Sequence, residues 1–353
     1  MQAIVILTAL LLPATLLRAQ QAERYVMADD EVAIYNLAGK VSLEPGTGGE
    51  LSVQVTRGGA DAAQLKVGHD KRDGVETLRL IYPGNRIRYG AKSTGGGSST
   101  QIRVRDDGTF GDDSGHQGKK EGRSVTIASS GGGLDARADL RIGVPSGRQV
   151  SVYLAMGEVS ISNVSGTLHI DAASAPVNAT NTRGELEIDV GSGPVQVTQS
   201  RGDLSVDTGS GGVTVSDVRG EQISIETGSG DVSATNLNSK ELSISTGSGN
   251  IEVTSLTAPQ VALETGSGSV TADLSGEIWS VKVETGSGDV TLKVPPTLAA
   301  EVDIETSSGD IETDFEVAVT RHARDHMTGR IGEGGGKIDI ESGSGGIKLV
   351  KGK

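Results

Sequence analysis

The chain has 353 residues, no cysteine, 2% aromatic residues, 52 glycines and a formal net charge of −14. Without cysteine it holds no disulfide, no thiolate and no cysteine-ligated zinc. Residues 1–149 carry 19 Lys+Arg against 17 Asp+Glu, whereas residues 150–353 carry 13 against 29. So acidic a second half opposes phosphate backbones, and nucleic acid is not an expected partner.

From the N-terminus, Ala3 to Leu17 is apolar apart from Thr8, Pro13 and Thr15, and Leu17-Arg18-Ala19 offers a small residue for cleavage. This reads as a secretory signal peptide over residues 1–19, too short to span a bilayer. No cysteine follows for a lipid anchor, and no second apolar run follows for a membrane span. The expectation is an exported, soluble protein of the periplasm or of the cell surface and extracellular space.

Residues 20–149 contain short apolar or alternating runs, at Val32 to Ile34, Leu51 to Val55, Thr77 to Ile81 and Ser124 to Ile127, separated by Gly, Pro and Asp. That is the pattern of strands joined by turns, and it predicts a β-rich cap. Residues 93–123, rich in Gly, Ser and charge, read as a mobile loop within it. The run from Ala138 to Pro145 leads into the second half.

There the segment Thr208-Gly209-Ser210-Gly211 begins again at Thr227, Thr246, Thr265 and Thr285, with degenerate copies at Val190, Thr306 and Ser342. From Val190 to Thr306 the steps are 18, 19, 19, 19, 20 and 21 residues. A period near twenty marks one supersecondary unit stacked on itself. Within a unit, Ile223, Ile225 and Thr227 alternate toward one side, Gly228-Ser229-Gly230 turns the chain, and Val232 and Ala234 resume the alternation. Leu237 sits in the return segment. One coil cannot bury its own apolar face, whereas a stack can. The fold class read from this is all-β, a parallel β-solenoid of about ten coils over residues 150–353, spaced ~4.8 Å apart. An antiparallel meander shares the alternation but gives no reason for whole units to repeat position by position. Residues 313–337 break the period and read as an insertion or lid. The closing lysines, Lys348, Lys351 and Lys353, fit an open edge guarded against pairing.

These features resemble a bacterial family of exported β-strand-repeat domains of unknown function labelled "putative adhesin", related to the head domain of autotransporter adhesins. The resemblance rests on the run Asp139 to Gly147, the Glu-Thr-Gly-Ser-Gly-Asp-Val units at Glu226 and Glu284, and the closing run Gly335 to Ile347. It covers roughly residues 25–350. It implies the fold, and it supplies no catalytic residues.

The sharpest candidate site is an outward acidic column: Asp189, Asp207, Glu226, Glu264, Glu284, Glu305 and Glu341, interrupted by Ser245. Of these, Asp207, Glu226, Glu264, Glu284 and Glu305 form a candidate calcium ladder, since two carboxylates ~5 Å apart repel by about 0.8 kcal/mol in water. A solvated acidic face explains the column as well, because calcium wants converging ligands. Arg86, Arg88, Arg103 and Arg105 flank the loop and form a candidate site for an acidic glycan or phosphate, unless Asp106 and Asp107 neutralise them. The turn serines read as satisfying turn backbone groups. Arg201-Gly202-Asp203 spells a recognition tripeptide, but Arg183-Gly184-Glu185 and Arg219-Gly220-Glu221 fill the same turn in neighbouring units. His322 and His326, spaced as helical metal ligands would be, lack the glutamate of a zinc-protease motif.

No catalytic residue, cofactor or metal is assigned from this reading. The leading function is a non-enzymatic exported solenoid that binds or scaffolds at the cell envelope, with an unidentified surface glycan or protein as partner. Oligomeric state stays open. The alternatives are a polysaccharide-acting β-helix enzyme, which needs convergent carboxylates and aromatics, and an envelope-stress or assembly component.

Overall fold

The computed structural model describes residues 22–90, 98–111 and 122–352, so the expected signal segment and Lys353 lie outside the described residues. The described chain is all-β, broken only by a short 3-10 turn at Ala62–Gln64. No helix among the described residues is long and apolar enough to cross a membrane.

A single coil shows why the sequence stacks. In Gln222–Ser229 the residues Ile223, Ile225 and Thr227 are buried while their neighbours are not, and in Val232–Asn238 the buried residues are Val232, Ala234 and Leu237. The β-branched side chains suit a pleated strand. Each strand then pairs in parallel with its counterpart one unit on, like against like: Ile223 with Leu242, Ile225 with Ile244, Thr227 with Thr246. The second strands stack in the same way, Val232 on Ile251 and Leu237 on Leu256. The parallel solenoid is therefore the observed architecture, and the meander is excluded.

Two corners close each coil. At the Thr-Gly-Ser-Gly turn, Gly230 has φ +154, and a Cβ there would lie 2.3 Å from the Gly211 carbonyl oxygen of the coil below. Only a residue without a side chain lets the turns approach so closely. From Thr227 onward the buried threonines, rather than the turn serines, reach the turn backbone: Thr227 Oγ1 donates to Gly211 O at 3.3 Å and Thr265 Oγ1 to Gly249 O at 3.0 Å, whereas the buried Thr208 hydroxyl has no such partner. At the second corner one residue per coil is left-handed, at Asn163, Asn181, Gln199, Asp217, Asn236 and Ser255, with φ between 53° and 59°. Asn and Asp tolerate this conformation best among residues with side chains.

The stack extends further toward the N-terminus than the repeat period indicates. Glu31–Pro45 pairs in parallel with Arg148–Ser162 over both halves of its length and so forms a coil of its own. Above it, Val75–Ile81 and Arg137–Val144 add in parallel, and Lys66–Arg72, Leu51–Gly58 and Glu23–Met27 close the end with antiparallel pairings. A small second sheet joins Ser99–Val104, Arg123–Ala128, Arg86–Arg88 and Leu134–Asp135. Part of the expected loop 93–123 is thus a strand, and its residues 93–97 and 112–121 lie outside the described residues.

The far end corrects the expected order. Ser280–Thr285 does not pair with the next first strand, Ala300–Thr306. Both pair instead with Gly336–Ser342, the last coil in sequence. The connection at 295–299 is long enough to skip one level, about 9.6 Å for two spacings, and the chain later returns to fill the gap. Between these two strands in sequence comes an antiparallel hairpin, Val317–His322 with His326–Ile331, laid against the outer edge of Ala300–Thr306. The insertion is therefore an end cover. Its histidines lie on two strands, which removes the helical spacing that suggested a metal. Lys348 and Lys351 do not guard an open edge either. Ile347–Lys351 is sandwiched between Val290–Val294 and Ile311–Thr313, Lys348 pairs with Glu312 at 3.0 Å, and the Lys351 ammonium lies 5.3 Å from the centre of the Phe315 ring.

Two outcomes test this fold. Gly249→Ala forces a side chain to within 2.1 Å of the Gly230 carbonyl at φ +149, and a denaturant melt should show a loss of about 2–3 kcal/mol. Deleting residues 336–353 removes an interior level, so hydrogen exchange should show Ala300–Thr306 losing protection. A peripheral tail would leave that strand unchanged.

Candidate functional site

The acidic column is built by the register of the first strands, which places one side chain per level on the outer face. In spatial order it runs Tyr35, Tyr153, Asp171, Asp189, Asp207, Glu226, Ser245, Glu264, Glu284, Glu341 and Glu305. The candidate ladder of Asp207, Glu226, Glu264, Glu284 and Glu305 is thus aligned, with one reordering: Glu341 stands between Glu284 and Glu305. Asp171 belongs to the row and was missed because its turn, Ala173-Ser174-Ala175-Pro176, lacks the Thr-Gly-Ser-Gly signal.

The row presents one carboxylate per level. Among the described residues, no group of three or more His, Asp or Glu side chains is placed to hold a metal ion. Calcium takes about six to eight oxygens, and a straight row does not converge on a point. Within the row, Lys282 Nζ lies 2.7 Å from Glu284 and offsets its charge. In the neighbouring outward column, His326 Nε2 lies 2.9 Å from Asp303 and His169 Nδ1 3.1 Å from Glu187.

Toward the N-terminal end the column becomes aromatic. Tyr35 and Tyr153 stack with ring centres 4.3 Å apart and planes 3° from parallel, Phe110 meets Tyr35 edge-on at 5.7 Å, and Tyr153 meets His169 at 5.9 Å. Beside them lies a groove of about 650 Å³ bounded by Tyr153, His169, Asp171, Glu187 and Asp189. Partial burial holds the Asp189 carboxyl above its ordinary value of 3.8. Asp207 and Glu187 push it the same way, and His169 opposes them.

The arginine candidates do not form one site. Arg86–Arg88 and Ser99–Val104 lie on either side of Arg123–Ala128. Arg86 Nε donates to Gly132 O at 2.7 Å, Arg88 pairs with Asp135 at 2.6 Å, Arg103 donates to Gly122 O at 3.4 Å, and Arg105 to Thr109 Oγ1 at 3.3 Å. Each ties down a local loop. Asp107 pairs with the buried Arg79, at 3.6 Å, rather than with these arginines.

The position just after each turn, held by Asp231, Asn250, Ser269 and Asp289 in successive coils, forms an ordered column. Asp231 Oδ1 accepts from Asn250 N at 2.8 Å, Asn250 Oδ1 from Ser269 N at 3.0 Å, and Asp289 Oδ1 from Gly346 N at 2.8 Å. Each short polar side chain ties its coil to the backbone of the next. The recognition tripeptide has the same explanation. Arg183, Arg201 and Arg219 bridge in a column, and Asp203 Oδ1 accepts from Glu221 N and Gln222 N, both at 3.0 Å.

Residues 184–350 match the family model described as Toastrack DUF4097, a domain of unknown function. No curated protein matches the chain. Among solved structures, a putative adhesin from Bacteroides fragilis NCTC 9343 is 14% identical, covering 94% of this chain and 97% of that one, with a TM-score of 0.39. A putative adhesin from Parabacteroides merdae ATCC 43184 is 12% identical, at 95% and 98% coverage and a TM-score of 0.36. A putative lipid binding protein from Parabacteroides distasonis ATCC 8503 is 10% identical, at 95% and 98% coverage and a TM-score of 0.33. At these identities and scores the likeness says nothing about ligand or activity.

The raised carboxyl at Asp189 has a measurable consequence. Its folded form holds a proton more tightly than its unfolded form, so its contribution to stability grows as pH falls through the folded pKa and is lost as pH rises. Asp189→Asn should therefore raise the melting temperature at pH 7, and the gain should vanish below pH 3.8, as thermal melts across pH would show.

Proposed function

We propose that this chain, matched over residues 184–350 by the Toastrack family, is an exported, non-catalytic rod that binds or scaffolds at the cell envelope in the manner of an adhesin. The observation that carries this reading is the register: Ser205, Ser224 and Ser243 share one column, and Asp189, Asp207 and Glu226 the next on the same face. A surface that repeats one chemistry at ~4.8 Å steps offers the same weak contact several times to an extended partner. Linked weak contacts give avidity without any single deep pocket. The apolar segment from Ala3 to Leu17 supports export.

One place favours the polysaccharide-acting alternative. In the groove beside Tyr153, four carboxylates (Asp171, Glu185, Glu187 and Asp189) and His169 gather next to the Tyr153 ring. The two readings separate cleanly in one set of measurements. Purified protein should bind isolated cell envelopes without releasing reducing ends from acidic or neutral polysaccharides. Turnover that disappears in Asp171→Asn or Asp189→Asn would replace the binding rod with an enzyme. Labelling of an epitope placed in 93–123 on intact cells should succeed. Labelling only after the outer membrane is opened would move the protein to a periplasmic stress or assembly role.

A further inference from the structure

The repeat pattern fails at one corner of the solenoid, and the chain's single tryptophan stands there. In regular coils the second strand passes to the next first strand through short links such as 239–240 and 258–259. Near the C-terminal end three longer connections, 276–279, 295–299 and 332–335, meet at the same corner because the last coil is inserted between two earlier ones. Together they enclose a groove of about 560 Å³ bounded by Glu277, Ile278, Trp279, Pro295, Leu298 and Gly335. Irregular loops set on a rigid scaffold are where binding groups concentrate.

Trp279 takes the corner position held by Pro259 and Lys240 in the coils below, since Ser280 aligns with Gln260 and Glu241. Its backbone is fixed from both sides: Trp279 N donates to Pro259 O at 2.9 Å, and Lys337 N donates to Trp279 O at 2.9 Å. The residue nevertheless remains 55% exposed. An exposed indole on an anchored backbone, in a chain with 2% aromatic residues, offers a flat platform. The apolar floor beneath it comes from Ile278 and Leu298, both nearly buried, and the far wall is bare glycine backbone at Gly334 to Gly336.

We infer that this corner is a binding site for a neutral saccharide, with Trp279 stacking on the sugar ring; the inference rests on, and sharpens, the binding-rod reading above. The chemistry selects this class. The exposed indole face accepts the C–H face of a pyranose ring. The Glu277 carboxylate at the groove edge accepts hydrogen bonds and has none to give, which suits hydroxyl donors. Residues 150–353 carry 13 Lys+Arg against 29 Asp+Glu, so the surrounding field disfavours acidic glycans.

Because Trp279 is the only tryptophan, its fluorescence reports the site directly. The full mature chain should be titrated with chitohexaose, cellohexaose and maltohexaose, with polygalacturonate as the acidic comparison. At least one neutral hexasaccharide should give a saturable blue shift or quench, and polygalacturonate none. Calorimetry with the same sugar should show binding weakened about tenfold or more in Trp279→Ala, while that variant keeps its melting temperature and Trp279→Tyr retains part of the affinity. No saturable change with any neutral hexasaccharide overturns the proposal, as does unchanged binding in Trp279→Ala. A sugar-independent emission shift that follows protein concentration and accompanies a doubled mass in solution also overturns it, by showing that a second copy covers the corner. Envelope binding by Trp279→Ala at the wild-type level, with sugar binding absent throughout, would sink this site and leave the rod reading standing. Sugar binding without any envelope binding would do the reverse.

Discussion

Everything in this molecule depends on the close parallel approach of one coil to the next. Backbone hydrogen bonds hold neighbouring strands ~4.8 Å apart, and the turns must obey the same spacing as the strands. At the Thr-Gly-Ser-Gly corner this leaves no space for a side chain: a Cβ on Gly268 or Gly288 would come within 2.0–2.1 Å of a carbonyl oxygen in the coil below. The glycine column is therefore a steric requirement, and the buried threonine beside it binds a turn carbonyl that would otherwise face the apolar interior.

The same spacing governs the outside. Once register is set, each outward position becomes a column, and chemistry that a globular protein would gather at a point is spread along a line. Like charges then stack, and the column tolerates them by interruption and local neutralisation: Ser245 separates Glu226 from Glu264, and Lys282 sits against Glu284. The polar column after the turn solves a different problem, since its side chains accept backbone N–H groups from the following coil. Outward columns thus divide into those that hold the stack together and those that face solvent.

A stack of strands also needs ends. At the N-terminal end, Glu31–Pro45 is covered by parallel strands and then by antiparallel ones whose outermost member, Lys66–Arg72, is rich in charge. At the other end the chain skips a level, folds a hairpin against its last first strand, and returns to fill the gap. The C-terminal coil is thereby interior. This closing manoeuvre lengthens the corner connections and so creates the groove at Trp279, which makes the most individual part of the surface a by-product of finishing the rod.

The sequence by itself determined the all-β class, the stacked period, the inward set Ile223, Ile225, Thr227, Val232, Ala234 and Leu237, and the outward acidic column. All of these follow from alternation and repetition, which are local and survive in one dimension. Only the tertiary structure decided the level to which Glu31–Pro45 belongs, the insertion of Gly336–Ser342 ahead of Ala300–Thr306, the aromatic start of the acidic column at Tyr35 and Tyr153, and the meeting of three loops around Trp279. Those facts depend on which strand edge is free when a distant segment arrives, and two strands with the same apolar alternation compete for an edge on nearly equal terms. Pairing energy between whole strands, rather than any residue pattern, settles that competition, so the order of the coils and the shape of the final corner are properties of the assembled stack.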